Sequence, residues 1–240
     1  WAQAICEFSN NLTEEVADID AMLSDHDTEI SVIAKVVNTY QAMLDEENLI
    51  DFSAIQTECY RLLKENKDIL EDLRKSIKYI MVDEYQDTNY IQEQIIFLLG
   101  THENICVVGD DDQGLYRFRG ATIRNILEFP SKFDVGKCQI IPLVINYRSD
   151  SDIVDFYNKW MITTSGSKFK FEWDKFRYDK RIVANETSKI ESPCVVKLAS
   201  KDDEDEWHER VLDFINRLKN SGKIQDYNQL AFLFSSVKHE

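Results

Sequence analysis

The sequence predicts a layered α/β fold built on a parallel sheet. Two short apolar runs each end abruptly in carboxylates, a helical pattern lies between them, and the connections are short. Ile80, Met81 and Val82 lead into Asp83–Glu84. Ile105, Cys106, Val107 and Val108 lead into Gly109 and the triplet Asp110–Asp112. Parallel α/β sheets gather ligand chemistry at the carboxyl ends of their strands. The two acidic strand ends are therefore expected to share one site, holding a metal and a phosphate.

The elements follow in order. Residues 1–8 read as a short helix, and Thr13 before Glu14–Glu15 as the start of another. Ile33, Val36 or Val37, Tyr40 and Leu44 recur at helical spacing and predict a helix over 30–46. Asp51 or Ser53 is a cap for the next helix, with Phe52, Ile55, Cys59 and Leu62–Leu63 as its apolar face. Residues 69–77 form a third helix before the strand at 79–82. Asp87 or Thr88 caps a helix that carries Ile91, Ile95 and Leu98–Leu99 and closes at Gly100. A strand over 105–108 precedes an acidic turn bracketed by Gly109 and Gly114, then a helix over 122–128 that Pro130 ends. Residues 139–145 read as a third strand, at an edge or bulged because of Pro142. A helix over 151–160 follows, then loops with short strands over 163–189, a strand over 193–199, a helix over 202–220 and a last strand over 230–234. Trp207, Val211, Phe214 and Leu218 share one face of that final helix. Gly136 and Lys137 mark a domain division near 136–140.

Composition narrows the classes. A chain of 240 residues, 43% hydrophobic and 30% charged, fits a globular protein with one large core or two modest ones. No apolar run is long enough to cross a membrane, and the first residues lack the pattern of a signal peptide. The five dispersed cysteines give neither zinc spacing nor a disulfide framework, which points to a reducing, cytoplasmic setting. A net charge of −16 argues against coating nucleic acid by bulk charge, but not against a local basic or stacking groove.

Asp83 at a strand end is a hard oxygen donor suited to Mg²⁺, and Glu84 beside it is placed to polarise an attacking water; the plainer alternative is a helix cap. Gln113 offers a donor and an acceptor to a terminal phosphate, or is an exposed turn residue. Asp110, Asp111 and Asp112 cannot crowd one site without large like-charge cost, so at least one must meet backbone amides or an arginine. Tyr116, Arg117, Phe118 and Arg119 interleave rings with cations, as base-stacking segments do, or form a core turn. Tyr147 beside Arg148 poses the same choice between a purine-stacking ring with a phosphate-neutralising cation and a plain connection. No Gly-x-x-x-x-Gly-Lys-Ser/Thr loop occurs in the 240 residues.

Together these segments resemble the UvrD/Rep family of superfamily 1 DNA helicases. Asp83-Glu84-Tyr85-Gln86-Asp87-Thr88-Asn89 is similar to the family's motif II, the run from Gly109 to Ala121 to motif III, and Asn146-Tyr147-Arg148-Ser149 to motif IV. Asn48-Leu49-Ile50-Asp51-Phe52 resembles the stretch that precedes motif II. The resemblance implies two RecA-like domains of the P-loop NTPase class and ATP-driven 3′-to-5′ movement on single-stranded DNA with duplex unwinding. It implies that Asp83 binds Mg²⁺, Glu84 activates water, Gln113 and Arg148 contact the γ-phosphate and Tyr147 stacks on adenine. Tyr116, Phe118 and Arg119 would contact DNA. Residues 1–50 would be helices ending a first-domain insertion, 51–138 the end of the first motor domain and 139–240 the start of the second.

The chain departs from the family pattern at Phe118, commonly tryptophan, and at Gly114, more usually serine. Motif I and motifs V and VI are absent from these 240 residues, so they are expected to be inactive alone. Two other readings share the scaffold: a non-catalytic interaction module derived from a helicase, and part of a helicase–nuclease subunit.

Overall fold

The computed structural model describes residues 2–100, 104–114, 122–162, 177–185, 194–198 and 204–234. These fall into two units. The first runs through Leu143 and takes in residues 177–180, and the second comprises the described residues of 144–163 and 181–240.

The first unit opens with helices α1 (Ala2–Glu14), α2 (Ile19–Leu23), α3 (Thr28–Glu46), α4 (Phe52–Glu65) and α5 (Lys67–Ser76). The first helix is longer than its sequence pattern. The second starts after Asp18, whose carboxylate caps the Ala21 amide, and not at Thr13. Ala34 and Val37 are the buried residues of α3, so the stripe runs through Val37 and leaves Val36 exposed. In α4, Asp51 is the cap, accepting from the Ala54 amide at 2.7 Å.

The expected apolar face of α4 is corrected. Phe52, Ile55, Cys59 and Leu62 are exposed, and the buried positions are Ser53 and Leu63. Polar pairing turns the helix this way. The Ser53 hydroxyl donates to Glu14 Oε1 at 3.3 Å, and Gln56 Oε1 accepts from the Asn89 amide at 3.1 Å.

Strands β1 (Ile80–Val82) and β2 (Ile105–Val107) pair in parallel, with Ile80 opposite Ile105 and Val82 opposite Val107. Between them lie a 3-10 turn over Tyr85–Asp87 and helix α6 (Tyr90–Leu99). The cap of α6 is Asn89, not Asp87 or Thr88, because Asn89 and Gln92 bond each other's backbone in a capping box. A second 3-10 turn, Asp111–Gln113, follows β2. Helix α7 (Ile123–Glu128) then tightens into a 3-10 turn over Phe129–Lys132 that contains Pro130. Proline is tolerated there because the first turn of a helix leaves its amides unpaired in any case.

The core lies between the sheet and α7. Tyr85, Ile126 and Phe129 are buried, and Val82, Phe97, Val107 and Tyr178 pack on them. The Tyr85 ring meets Phe129 edge-on with centroids 5.2 Å apart. Its hydroxyl donates to Glu93 Oε1 at 2.9 Å, and Lys132 pairs with the other oxygen of the same buried carboxylate.

The second unit contains β3 (Ile145–Asn146), α8 (Ser151–Ile162), β4 (Val183–Ala184) and α9 (Glu204–Asn220). β3 and β4 pair in parallel, and the Asn158 side chain fastens α8 to both backbone groups of Ile182 at 2.7 and 3.2 Å. Of the strand expected over 139–145, only Ile145 is paired. Pro142 removes a donor, and Ile140, Ile141 and Leu143 are exposed with no neighbouring strand among the described residues. Residues 194–198 and 230–234 likewise join no ladder among the described residues, and Phe232, Leu233 and Phe234 face solvent. Gly222, at φ 73°, closes α9 in the left-handed conformation that favours glycine. The fold is α/β with small parallel sheets, and no described helix is long and apolar enough to cross a membrane.

Removing one partner of a buried ion pair strands the other charge. Lys132→Met is expected to lower stability by about 3 kcal/mol, the low end for such pairs because Lys132 is partly exposed. Glu93→Gln in the same chain is expected to recover most of the loss, since glutamine still accepts from Tyr85; urea unfolding midpoints measure both.

Candidate active site

Parallel pairing puts the ends of β1 and β2 at the same edge of the sheet. The pairing extends past both strands: the Val108 amide donates to Val82 O at 2.8 Å and the Tyr85 amide to Val108 O at 2.9 Å. Between them Glu84 adopts φ 49°, ψ 43°, a left-handed turn that a residue with a Cβ enters at a cost of about 1–2 kcal/mol. That turn reverses the chain so that Asp83 and Glu84 stay exposed while Tyr85 and Gln86 are buried behind them.

Gln86 joins the two strand ends. Its Nε2 donates to Glu84 Oε2 at 2.6 Å, and its Oε1 accepts from the Asp110 amide at 3.0 Å. Beyond it the Asp110 carboxylate takes the Asp112 amide on Oδ1 at 3.1 Å and Gln113 Nε2 on Oδ2 at 2.8 Å. A continuous path of hydrogen bonds thus runs from Glu84 to Gln113. Gly109 is required beside it, because a Cβ there would lie 2.5 Å from Gln86 Oε1 and 2.8 Å from Ile126 Cδ1.

The acidic triplet meets cations supplied by residues 177–180. Arg177 holds Asp112 with two bonds, Nε to Oδ1 at 2.7 Å and Nη2 to Oδ2 at 2.8 Å. Lys180 pairs with Asp110 and Asp111 and lies 3.2 Å from Asp112 Oδ2. The Tyr178 amide donates to Asp111 Oδ2 at 2.9 Å. This is the neutralisation that the like-charge argument requires. Burial alone would raise the Asp110 carboxyl, but bonds from Lys180, Gln113 and the Asp112 amide outweigh it and hold the carboxyl below the usual range. Burial likewise works against the Lys180 charge, yet Asp110 and Asp111 outweigh it and push its pKa up. Asp87, beside the site, is pushed up by burial and by the Glu84 charge.

Asp83 Oδ1 accepts the Glu84 amide at 3.0 Å, and Oδ2 has no partner among the described residues. An exposed carboxylate with a free oxygen, one residue from a second carboxylate, is a donor set that fits Mg²⁺ with retained waters.

The model of the UvrD/REP helicase N-terminal domain matches residues 2–134. The chain is 34% identical over 180 residues to the ATP-dependent DNA helicase UvrD1 of Mycobacterium tuberculosis, covering 72% of the chain and 23% of that protein. It is 33% identical to the ATP-dependent DNA helicase PcrA of Staphylococcus epidermidis, covering 94% of the chain and 29% of the relative. With UvrD1 of Mycobacterium leprae it shares 30% identity over 97% of the chain and 29% of the relative. The chain belongs to the UvrD/Rep helicase family. It spans about a quarter of the length of these curated relatives.

Of the residues singled out in the sequence, Asp83, Glu84 and Gln113 lie on one edge of the first unit. Tyr147 and Arg148 belong to the second. There Tyr147 is exposed, and Asn146 Oδ1 accepts the amides of Arg148 and Ser149 at 2.9 and 2.7 Å, a turn that follows β3 directly. Tyr116, Phe118 and Arg119 lie outside the described residues. Gln86, quoted in the sequence only as part of a motif, and Arg177 and Lys180, not singled out there, join the candidate site. For the two cations the signal existed: three adjacent carboxylates demand counter-charges, and the Lys-rich stretch 163–189 is a source of them. A grouping of Asp150, Asp152 and Cys194 in the second unit behaves as a polar cap, since Asp150 Oδ1 takes the Asp152 amide at 3.0 Å. Burial, a hydrogen bond to Asp150 and the two carboxylates push the Cys194 thiol up, away from the thiolate that a metal prefers.

A depressed carboxyl contributes stability above the unfolded value, near 4, and loses it as pH falls through the lower folded value. The gap in thermal midpoint between the wild-type chain and Asp110→Asn is therefore expected to be constant from about pH 5 to 7 and to shrink below about pH 4. Melting curves across that range measure it.

Proposed function

We propose that the chain is part of an ATP-dependent DNA helicase that couples ATP hydrolysis to 3′-to-5′ movement on single-stranded DNA and duplex unwinding. The observation that carries this reading is the joined pair of acidic strand ends, Asp83–Glu84 and Asp110–Gln113, linked through Gln86 at one sheet edge. Matches to relatives named as ATP-dependent DNA helicases support it. Residues 51–138 belong in this reading to a first RecA-like motor domain and 139–240 to a second, with 1–50 as helices returning from an insertion; the break between units after Leu143 supports that division. Five cysteines without a disulfide accord with a cytoplasmic setting.

Each residue has a task. Asp83 holds Mg²⁺, which neutralises phosphate charge when bound. Glu84 accepts a proton from the attacking water, and its hydrogen bond from Gln86 fixes which carboxylate oxygen stays available. Gln113 meets the γ-phosphate with the amide proton not given to Asp110. Arg148 stabilises charge on the same phosphate and Tyr147 stacks on adenine. Tyr116, Phe118 and Arg119 contact single-stranded DNA.

In the full-length protein, Glu84→Gln is expected to lower DNA-stimulated ATP hydrolysis by about 10²–10⁴-fold while ATP binding persists. Unchanged turnover in Glu84→Gln would remove Glu84 from this role. A wild-type protein that binds a protein partner without hydrolysing ATP would favour the non-catalytic module instead. Arg148→Ala is expected to reduce kcat by about 10³-fold or more, as loss of an arginine finger does; steady-state kinetics measure it.

A further inference from the structure

Resting on that helicase reading, we infer that residues 177–180 form a positioning clamp that sets the Gln113 side chain through Asp110. The turn needs such help. Three successive carboxylates, the cap Asp110 and the first two residues of the 3-10 turn, repel one another, and the turn's own support is three bonds, all to Asp110: the Gln113 amide to its O at 2.9 Å, the Asp112 amide to Oδ1 and Gln113 Nε2 to Oδ2. Arg177 and Lys180 place two positive charges against those three negative ones. Both cations are largely buried, with side chains 10% and 14% exposed, so solvent screens these pairs little.

The clamp is seated independently of its charges. The Tyr178 ring packs on the core around Ile126 and Phe129, and its hydroxyl donates to Ile126 O at 2.9 Å. From that anchor Lys180 reaches Asp110 Oδ1, while Asp110 Oδ2 receives Gln113 Nε2. A carboxylate only accepts hydrogen bonds, so Asp110 dictates which end of the Gln113 amide faces it. One Nε2 proton is spent on Asp110, and the second, with Oε1, is offered outward. Without Lys180 the half-buried Asp110 turns toward other donors, and Gln113 loses its fixed orientation. Lys180 and Arg177 need not touch nucleotide for this.

Two measurements on the full-length protein test the clamp. In DNA-stimulated ATP hydrolysis, Lys180→Ala is expected to lower kcat about 10-fold with KM for ATP within about 3-fold, and Lys180→Arg to restore most of it. On a Gln113→Ala background the same change is expected to cost less than about 2-fold, because the group it positions is gone. An equal loss on both backgrounds, or a loss confined to KM, overturns the clamp. Hydrogen exchange without nucleotide separates this from the helicase reading. Lys180→Ala is expected to speed exchange of the Asp112 and Gln113 amides about 10-fold while the Tyr85 and Val108 amides hold. No change at Asp112 and Gln113, or equal change at all four, overturns the clamp whether or not the protein hydrolyses ATP.

Discussion

One backbone hydrogen bond, from the Tyr85 amide to Val108 O, fixes the geometry on which the candidate site depends. It carries parallel pairing beyond the last ladder residues, across the point where both chains change direction. Without it β1 and β2 would still pair over three residues each, but their acidic ends would splay as separate loops. With it, Gln86 falls between them and meets one group from each side. Buried amides rarely go unpaired, so Gln86, with an acceptor at one end and a donor at the other, suits that gap better than any charged residue.

The same residue that closes the backbone also ties the site to the core. Tyr85 contributes its amide to the strand ends, its ring to the Phe129 contact and its hydroxyl to Glu93. Packing against α7 therefore reaches the exposed carboxylates through a single residue. Asn125 strengthens the link: its Nδ2 lies 3.2 Å from Thr88 O, Thr88 Oγ1 and Asn89 O, stitching α7 to the segment that leaves the first acidic end. The edge that carries Asp83 and Glu84 is exposed, and its back is held by buried polar bonds.

What the sequence made legible follows from range. Ile80–Val82 and Ile105–Val107 were readable because an apolar run cut off by carboxylates is a local pattern, and the motif segments sit at fixed spacings. The α4 face was misread because Phe52, Ile55, Cys59 and Leu62 form a sound helical stripe, while the buried face is set by partners 33 to 39 residues distant, Asn89 and Glu14. Residues 139–145 and 230–234 have strand-like composition, but a strand needs a neighbour, and composition is silent about neighbours. The need for counter-charges beside Asp110–Asp112 was legible, but not which residues supply them, because Arg177 and Lys180 meet Asp112 and Asp110 across 65 and 70 residues.

The left-handed backbone at Glu84 sets thermodynamic preference against the proposed chemistry at that position. Glycine would sit there more comfortably than glutamate, so a search for heat-resistant variants alone would favour replacing it. Under the proposed role of Glu84, its left-handed conformation is a local cost to folding set against the reactivity of its carboxylate. Stabilisation schemes that relax every unfavourable φ would erase the carboxylate on which the proposed chemistry rests.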